Sequence, residues 1–240
     1  MSSVRVEESK YPDIGITGRM GSGKTYMSNW LLKNVGYTRL SFATALKDIE
    51  MYLEVHSSLR TLLYMLRKYE KVSCRLWLKL FMILDTCRNM EIEQPKPRKR
   101  LQYLGNIIRQ EISEDYWVNI ALKKYRALKE DDPSIRVVFD DTRYPNEVAC
   151  LEKAGFITIK LETFSDVRMN RLKREYGITE WEDGRLWADS ENSCDDDKNK
   201  FDYVVINNDD NNAIEVFRDI IVNYITAQDF INNSASQELK

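Results

Sequence analysis

The stretch GRMGSGKTYMSNWL, Gly18 to Leu31, decides how the rest of the chain is read. Gly18, Gly23, Lys24 and Thr25 satisfy the spacing GxxxxGKT, with Gly21 as an additional glycine. Glycines let a loop curl until successive peptide NH groups face one point, and the helix that follows turns its positive end toward it. That is a phosphate cradle, built here from Gly18, Gly21, Ser22, Gly23, Lys24 and Thr25. Lys24 is expected to reach β and γ phosphates, and the Thr25 hydroxyl to sit on Mg²⁺. Such a loop needs a strand before it and a helix after it. YPDIGIT, Tyr11 to Thr17, supplies the strand, and Lys24 to Asn34, with apolar Met27, Trp30 and Leu31, supplies the helix. A chance glycine-rich turn is the alternative, and the strand and helix on either side speak against it.

Working outward, YTRLSF (37–42) reads as a second strand, and a helix capped by Ser41 or Thr44 runs through Tyr52. Apolar residues recur at three and four from Leu59 to about Asn89, so that region is helical, with a break near Ser73. EQPKPRKR is a proline-broken basic loop, followed by helices over LQYLGNIIRQEI and SEDYWVNIALKKYRALKE, the second capped by Ser113 or Asp115. IRVVFD (135–140) is a buried strand by its β-branched run, and Pro145 starts a helix that Gly155 ends. FITIKLE is a fourth strand, SDVRMNRLKREYG a helix capped by Ser165, FDYVVIN a fifth strand, and a last amphipathic helix spans about Asn212 to Thr226. Five short strands separated by helices predict an α/β fold: a parallel five-stranded sheet with helices on both faces. A single domain over 11–227 is expected, with a helical insertion at 59–112, a lid region at 165–200, and flexible tails at 1–10 and 228–240.

The chain has 240 residues, 43% hydrophobic and 31% charged, which excludes wholesale disorder. Its net charge of -2 hides an asymmetry: 59–109 holds twelve Lys/Arg against four Asp/Glu, and 183–219 eleven acidic against four basic residues. The basic stretch reads either as a solvated helix face or as a surface that attracts phosphorylated ligands. Cys74, Cys87, Cys150 and Cys194 show no metal-ligand spacing, and His56 is the one histidine, so a Cys/His metal site is not expected. No run of eighteen apolar residues appears, and the chain reads as soluble and intracellular, in the cytoplasm, with no membrane partner.

Two further clusters carry chemistry. VVFDDTRYPNE puts Asp140, Asp141 and Arg143 at the carboxyl end of a buried strand, where ligands bind in such sheets. A carboxylate there can organise Mg²⁺ or its waters, which makes Asp140 a candidate beside Thr25, and Arg143 can grip a phosphate bidentately. An Asp-rich turn that merely caps the Pro145 helix is the alternative. Arg168, Arg171, Lys173 and Arg174 share one helix after the fourth strand, suited either to a lid that neutralises a phosphoryl group in transfer or to a solvated surface. Gln102 and Arg109, seven apart on one helix, and Trp117 from the next could hold a phosphate and a base, although the residues by themselves favour packing for Trp117 and exposure for Arg109.

GxxxxGKT, LQYLGNIIRQ, DYWVNIAL, FDDTRYPNEVACLEKAG, DSENS and FDYVVINND, taken in order, resemble the deoxynucleoside monophosphate kinase family of the T-even phage type, over most of Ile14 to Phe217. The resemblance implies transfer of the γ-phosphoryl of ATP to the 5′-phosphate of a deoxynucleotide in an adenylate-kinase-like fold. It assigns Lys24 and Thr25 to ATP and Mg²⁺, Gln102, Arg109, Trp117, Asp141 and Arg143 to the acceptor, Arg168 and Arg171 to transfer, and Arg174 to ATP. Two departures stand out. Asp189 precedes Ser190 and Glu191 where the family usually has a histidine nearby, and 59–97 is divergent where the acceptor site is shaped.

The expected activity is ATP- and Mg²⁺-dependent phosphorylation of a nucleoside or deoxynucleoside monophosphate, with that monophosphate as partner and a homodimer compatible with the reading. A kinase of another small metabolite, or a nucleotide-dependent switch or ATPase, are the alternatives. Stable nucleic-acid binding is not expected, because the PKPRKR loop has no interleaved aromatic residues to stack on bases.

Overall fold

The computed structural model describes residues 11–56, 58–68, 74–90, 97–180, 186, 193–194, 200–208 and 212–238. The break expected at Ser73, the first half of EQPKPRKR, the DSENS segment up to Asn192 and the tail 1–10 lie outside them. Two compact units divide the chain. One comprises residues up to Leu40 and from Tyr125 on, and the other Ser41–Lys124. The stretch expected as a helical insertion, 59–112, lies within the second.

The first unit is the α/β one. Its strands are β1 (Ile14–Thr17), β2 (Thr38–Leu40), β3 (Val137–Thr142), β4 (Ile157–Glu162) and β5 (Tyr203–Ile206). All four pairings are parallel, in the order β2-β3-β1-β4-β5. The strands are short, three to six residues each, and only β5 is apolar or aromatic throughout; β2 is Thr-Arg-Leu and β3 ends in Asp-Asp-Thr. Asp202 fixes the edge strand by accepting from the Thr158 NH (2.7 Å) and hydroxyl (2.9 Å).

Alternation along β1 assigns the helices to faces. Ile14 and Ile16 point into a core with Met27 and Leu31 of α1 (Lys24–Asn34) and Phe217 and Ile221 of the last helix. Gly15 points the other way, so close to Leu151 of the helix Pro145–Lys153 that a side-chain carbon on it would lie 2.6 Å from Leu151 Cδ1. Helices therefore cover both faces, as the alternation of strands and helices predicts.

The second unit is helical: α2 (Thr44–Val55), α3 (Ser58–Lys68), α4 (Cys74–Arg88), α5 (Arg98–Glu111) and the first half of α6 (Tyr116–Asp131). Its core gathers Ile49, Met65, Leu84, Leu104, Ile108 and Trp117. After α6 come α7 (Pro145–Lys153), α8 (Ser165–Tyr176) and α9 (Asn212–Glu238).

Several boundaries differ from the sequence reading. α5 starts at Arg98, so the RKR of the expected basic loop is helical; Pro97 precedes it with φ -76°, a value that leads into a helix. Ser165 does not cap α8: it is the first helical residue, Phe164 holds the cap position, and no side chain caps it. The Phe164 NH instead donates to Asn208 Oδ1 (2.9 Å). α9 continues past Thr226 to Glu238, since nothing from Asn212 on is a glycine or proline that would stop it.

Candidate functional site

The loop Gly18–Gly23 leaves β1 and delivers Lys24 as the first residue of α1. Gly23 at the helix N-cap has φ +94°, a conformation that favours glycine, and no acidic residue sits in the first turn. The first NH groups of a helix have no partner within it, so this end offers donors and positive potential together. Lys24 Nζ donates to the carbonyls of Gly18 and of Arg19, the latter at 3.0 Å. Burial lowers its pKa to about 7, aided by Arg143 and Arg168 and opposed by Asp140 and Asp141. Four charged residues picked out in the sequence thus act electrostatically on the cradle lysine. Thr25 is exposed.

The two aspartates reach it through an irregularity. Against β1, Gly15 pairs with Phe139 but Thr17 pairs with Thr142, so Asp140 and Asp141 share the space opposite Ile16. That is a bulge, which bends a strand and re-aims its side chains. Both aspartates are half-buried, after three buried residues and before buried Thr142. Asp140 Oδ2 accepts from Ser28 Oγ (2.7 Å), one turn beyond Lys24, and pairs with Arg39 Nε (3.1 Å) from β2. Arg39 also donates to Asn29 Oδ1 (2.7 Å). Burial raises the Asp140 pKa, and Ser28 and Arg39 oppose the rise.

Capping of α7 falls to Glu147, whose Oε2 accepts from the NH groups of Arg143 (2.7 Å) and Tyr144 (3.1 Å). A Glu at the third helical position after Pro145 is the sequence signal for it. Cys194 Sγ donates to the Arg143 carbonyl (3.1 Å), so both sides of that residue's backbone are held.

The arginines of α8 have different surroundings despite their common spacing. Arg168 lies over Gly21, where a side-chain carbon would meet its Cγ at 3.1 Å. Arg174 is exposed. Arg171 is only 6% exposed and faces the back of the loop. Its Nη1 donates to the Gly21 carbonyl (3.2 Å) and Thr163 Oγ1 (3.4 Å), and its Nη2 to the Asn207 carbonyl (2.9 Å) and Oδ1 (3.4 Å). Asn207 in turn donates Nδ2 to the Ser22 carbonyl (2.8 Å). Ser22, Arg171 and Asn207 are all buried, and the Ser22 hydroxyl has no hydrogen bond among the described residues.

Beside Gly23 opens a cavity of about 260 Å³, lined among others by Tyr26, Arg174, Asn207 and Ile214. Ser28, Arg39, Thr163 and Asn207 were not singled out as site residues by sequence. Asn207 falls inside the fifth strand expected from sequence, FDYVVIN, and lies one residue beyond the observed β5.

Gln102, Arg109 and Trp117 belong to the helical unit. Gln102 is exposed on α5. Arg109 is half-buried, with Nη1 toward the Glu114 carbonyl at 3.4 Å. Trp117 is 2% exposed, packed edge-on against Tyr116, and its indole NH donates to the Gly105 carbonyl (3.1 Å). Among the described residues, no group of three or more His, Cys, Asp or Glu is placed to hold a metal, Cys87, Cys150 and Cys194 form no disulfide, and no helix is long and apolar enough to cross a membrane.

No family model matches the chain. The crystal structure of TT1252 from Thermus thermophilus is similar with a TM-score of 0.47 at 15% identity, over 89% of this chain and 98% of that one. A protein of Acanthamoeba polyphaga mimivirus, named "Putative deoxynucleotide monophosphate kinase", is 28% identical over 171 residues, 62% of this chain and 72% of its own. The resemblance carried by GRMGSGKT and the segments after it is thus matched by sequence comparison: the chain is similar to a protein named as a deoxynucleotide monophosphate kinase.

Proposed function

We propose that the protein transfers the γ-phosphoryl group of ATP, with Mg²⁺, to the 5′-phosphate of a nucleoside or deoxynucleoside monophosphate. The observation that carries this reading is the set of charges around Lys24. Arg143 and Arg168 add positive charge, while Asp140 and Asp141 lie within electrostatic reach on the strand side. Phosphoryl transfer asks for little covalent help; positioning and positive charge do most of it. The similar mimivirus protein is named as a kinase of a deoxynucleotide monophosphate.

The residues present fit the donor. The loop NH groups and Lys24 suit the phosphates, the buried Ser22 hydroxyl is one more polar group for an anion to satisfy, and Tyr26, Arg174 and Ile214 around the cavity suit a flat base. The Thr25 hydroxyl and a carboxylate are the hard oxygen donors that Mg²⁺ takes, with waters completing its shell. Mg²⁺ supplies charge neutralisation between the phosphates when bound. Asp140, held by Ser28 and Arg39, orients α1 and the metal's surroundings together. In the α/β unit, Arg143 and Asp141 are the residues assigned to the acceptor; in the helical unit, Trp117 acts by packing. Arg168 lies over the loop and neutralises the group in transfer.

ADP release from MgATP, measured with each ribo- and deoxyribonucleoside monophosphate in turn, tests the reading, with Lys24→Ala as control. Acceptor-dependent release with a diphosphate product is expected. Hydrolysis at one rate whatever is added would replace the kinase by an ATPase or switch.

A further inference from the structure

Peptide NH groups can converge on an anion only while the carbonyls of the same peptides point away and stay there. In most loops water holds them. Here two buried side chains do so: Arg171 on the Gly21 carbonyl and Asn207 on the Ser22 carbonyl. Each is anchored independently of the loop. The Asn207 NH donates to the Glu162 carbonyl at the end of β4 (2.8 Å), and Arg171 grips the Asn207 carbonyl. Thr163, just after β4, closes the ring by donating to the Ser22 carbonyl (3.3 Å) while accepting from Arg171.

The four N–H bonds at the two ends of the Arg171 guanidinium are matched by four acceptors, two of them main-chain carbonyls. An arginine that meets a phosphoryl group in transfer needs those same N–H bonds turned outward. Arg171 and Asn207 also line the cavity beside Gly23. A group entering that cavity touches the very side chains that set the orientation of the cradle.

We propose that Arg171 and Asn207 are positioning residues that hold the phosphate cradle in shape and tie that shape to the occupant of the neighbouring cavity. The proposal rests on the phosphate-cradle reading above. Neither residue contacts the reacting phosphoryl group. Their effect passes through the Gly21 and Ser22 carbonyls, so it extends to any polyphosphate, with or without a base.

Calorimetric titration of Mg-tripolyphosphate, which has no base, and of MgATP separates the possibilities. The wild type is compared with Asn207→Asp, Arg171→Lys and Thr163→Val, with thermal melts and steady-state kinetics alongside. Removing a hydrogen bond from a buried carbonyl is expected to weaken tripolyphosphate binding about tenfold or more in Asn207→Asp and Arg171→Lys. kcat with ATP should fall in parallel while the acceptor KM stays within about twofold, and the double variant should lose less than the two single losses combined. Thr163→Val keeps the side-chain volume and should fold even where the other two do not, with a several-fold loss in tripolyphosphate affinity. Weaker ATP binding with unchanged tripolyphosphate binding would make the two residues base contacts and overturn the proposal. A lower melting temperature with normal binding by the folded protein would make them props of the fold only, with the same result. Failure of the wild type to bind either anion would remove the cradle reading itself.

Discussion

Asn207 Nδ2 occupies the space where a side chain on Gly23 would begin: a carbon there would lie 2.2 Å from it. A glycine at the end of the GxxxxGKT loop is usually explained by its backbone angle, and Gly23 does have φ +94°. In this protein the amide that braces Ser22 requires it as well. Gly23→Ala should therefore destabilise the fold through both causes, by about 1–3 kcal/mol for the backbone conformation alone. In Gly23→Ala/Asn207→Ala the steric part is relieved. Urea denaturation of the two single variants and the double should give a double loss smaller than the sum by about 0.5–3 kcal/mol. Strict additivity would mean that the two residues do not meet.

Lys24 sets a pH dependence. Its pKa is lowered to about 7 by burial, and a bound polyphosphate pulls it back up, because a neighbouring negative charge favours the ammonium. Binding of ATP near pH 8 should take up a proton, seen as a calorimetric enthalpy that changes with the ionisation heat of the buffer. Affinity should fall as pH rises above about 7, by up to about tenfold per unit until the raised pKa is passed. Affinity independent of pH from 7 to 9 would contradict the lysine's role.

The same lysine costs stability. Unfolded, it holds its proton up to about pH 10.4, whereas in the folded chain it loses it near 7. Between those values the unfolded state binds more protons, so stability rises with pH. Lys24→Met should remove that rise, raise the melting temperature at pH 7 and abolish phosphoryl transfer. Melts from pH 6.5 to 10 on both proteins check it.

Arg143→Ala should weaken the acceptor more than ATP. The backbone of Arg143 is held by Glu147 on its NH side and by Cys194 on its carbonyl side, so the loop should keep its place without the side chain. Loss of a charged hydrogen bond to the acceptor phosphate is worth about 1.5–3 kcal/mol, an increase of about ten- to a hundredfold in acceptor KM. Unchanged acceptor kinetics would leave Arg143 a residue of the turn.

In the helical unit, Arg100 of α5 pairs with Glu50 of α2 at 3.1 Å, the arginine side chain 2% and the glutamate side chain 9% exposed. Burial raises the Glu50 pKa, and Arg100 opposes the rise. Glu50→Ala leaves an uncompensated buried cation and should destabilise by about 3–5 kcal/mol, whereas Glu50→Leu/Arg100→Met should cost far less. Chemical denaturation of the two variants distinguishes a paired charge from ordinary packing.

Much of this was legible in the sequence, for local reasons. β1, the loop and α1 announce themselves through glycine spacing and short-range periodicity, and the five-strand parallel sheet follows from apolar runs separated by helical patterns. Arg171 shows the limit of such reading. A spacing of three says that Arg168, Arg171 and Arg174 share a side of α8, but which of them is buried depends on β5 and the loop, far away in sequence. Ser165 looks like a cap and is not one: the cap position falls one residue earlier, at Phe164, whose own NH is held by Asn208, far along the sequence. Asp140 and Asp141 read as the carboxyl end of a buried strand, yet the slip that sets both opposite Ile16 shows only in how β3 pairs with β1.

That slip inverts the parity of the chain. Phe139 and Thr142 share a face although they are three apart, as their partners Gly15 and Thr17 show. Every residue after the aspartates is therefore presented in the opposite phase from an unbroken strand. Losing one of them would turn the whole DTR segment inside out, while exchanging one for another polar residue would leave it in place. The rim of the sheet is, in this sense, written in a counting code: it tolerates changes of letter far better than changes of length.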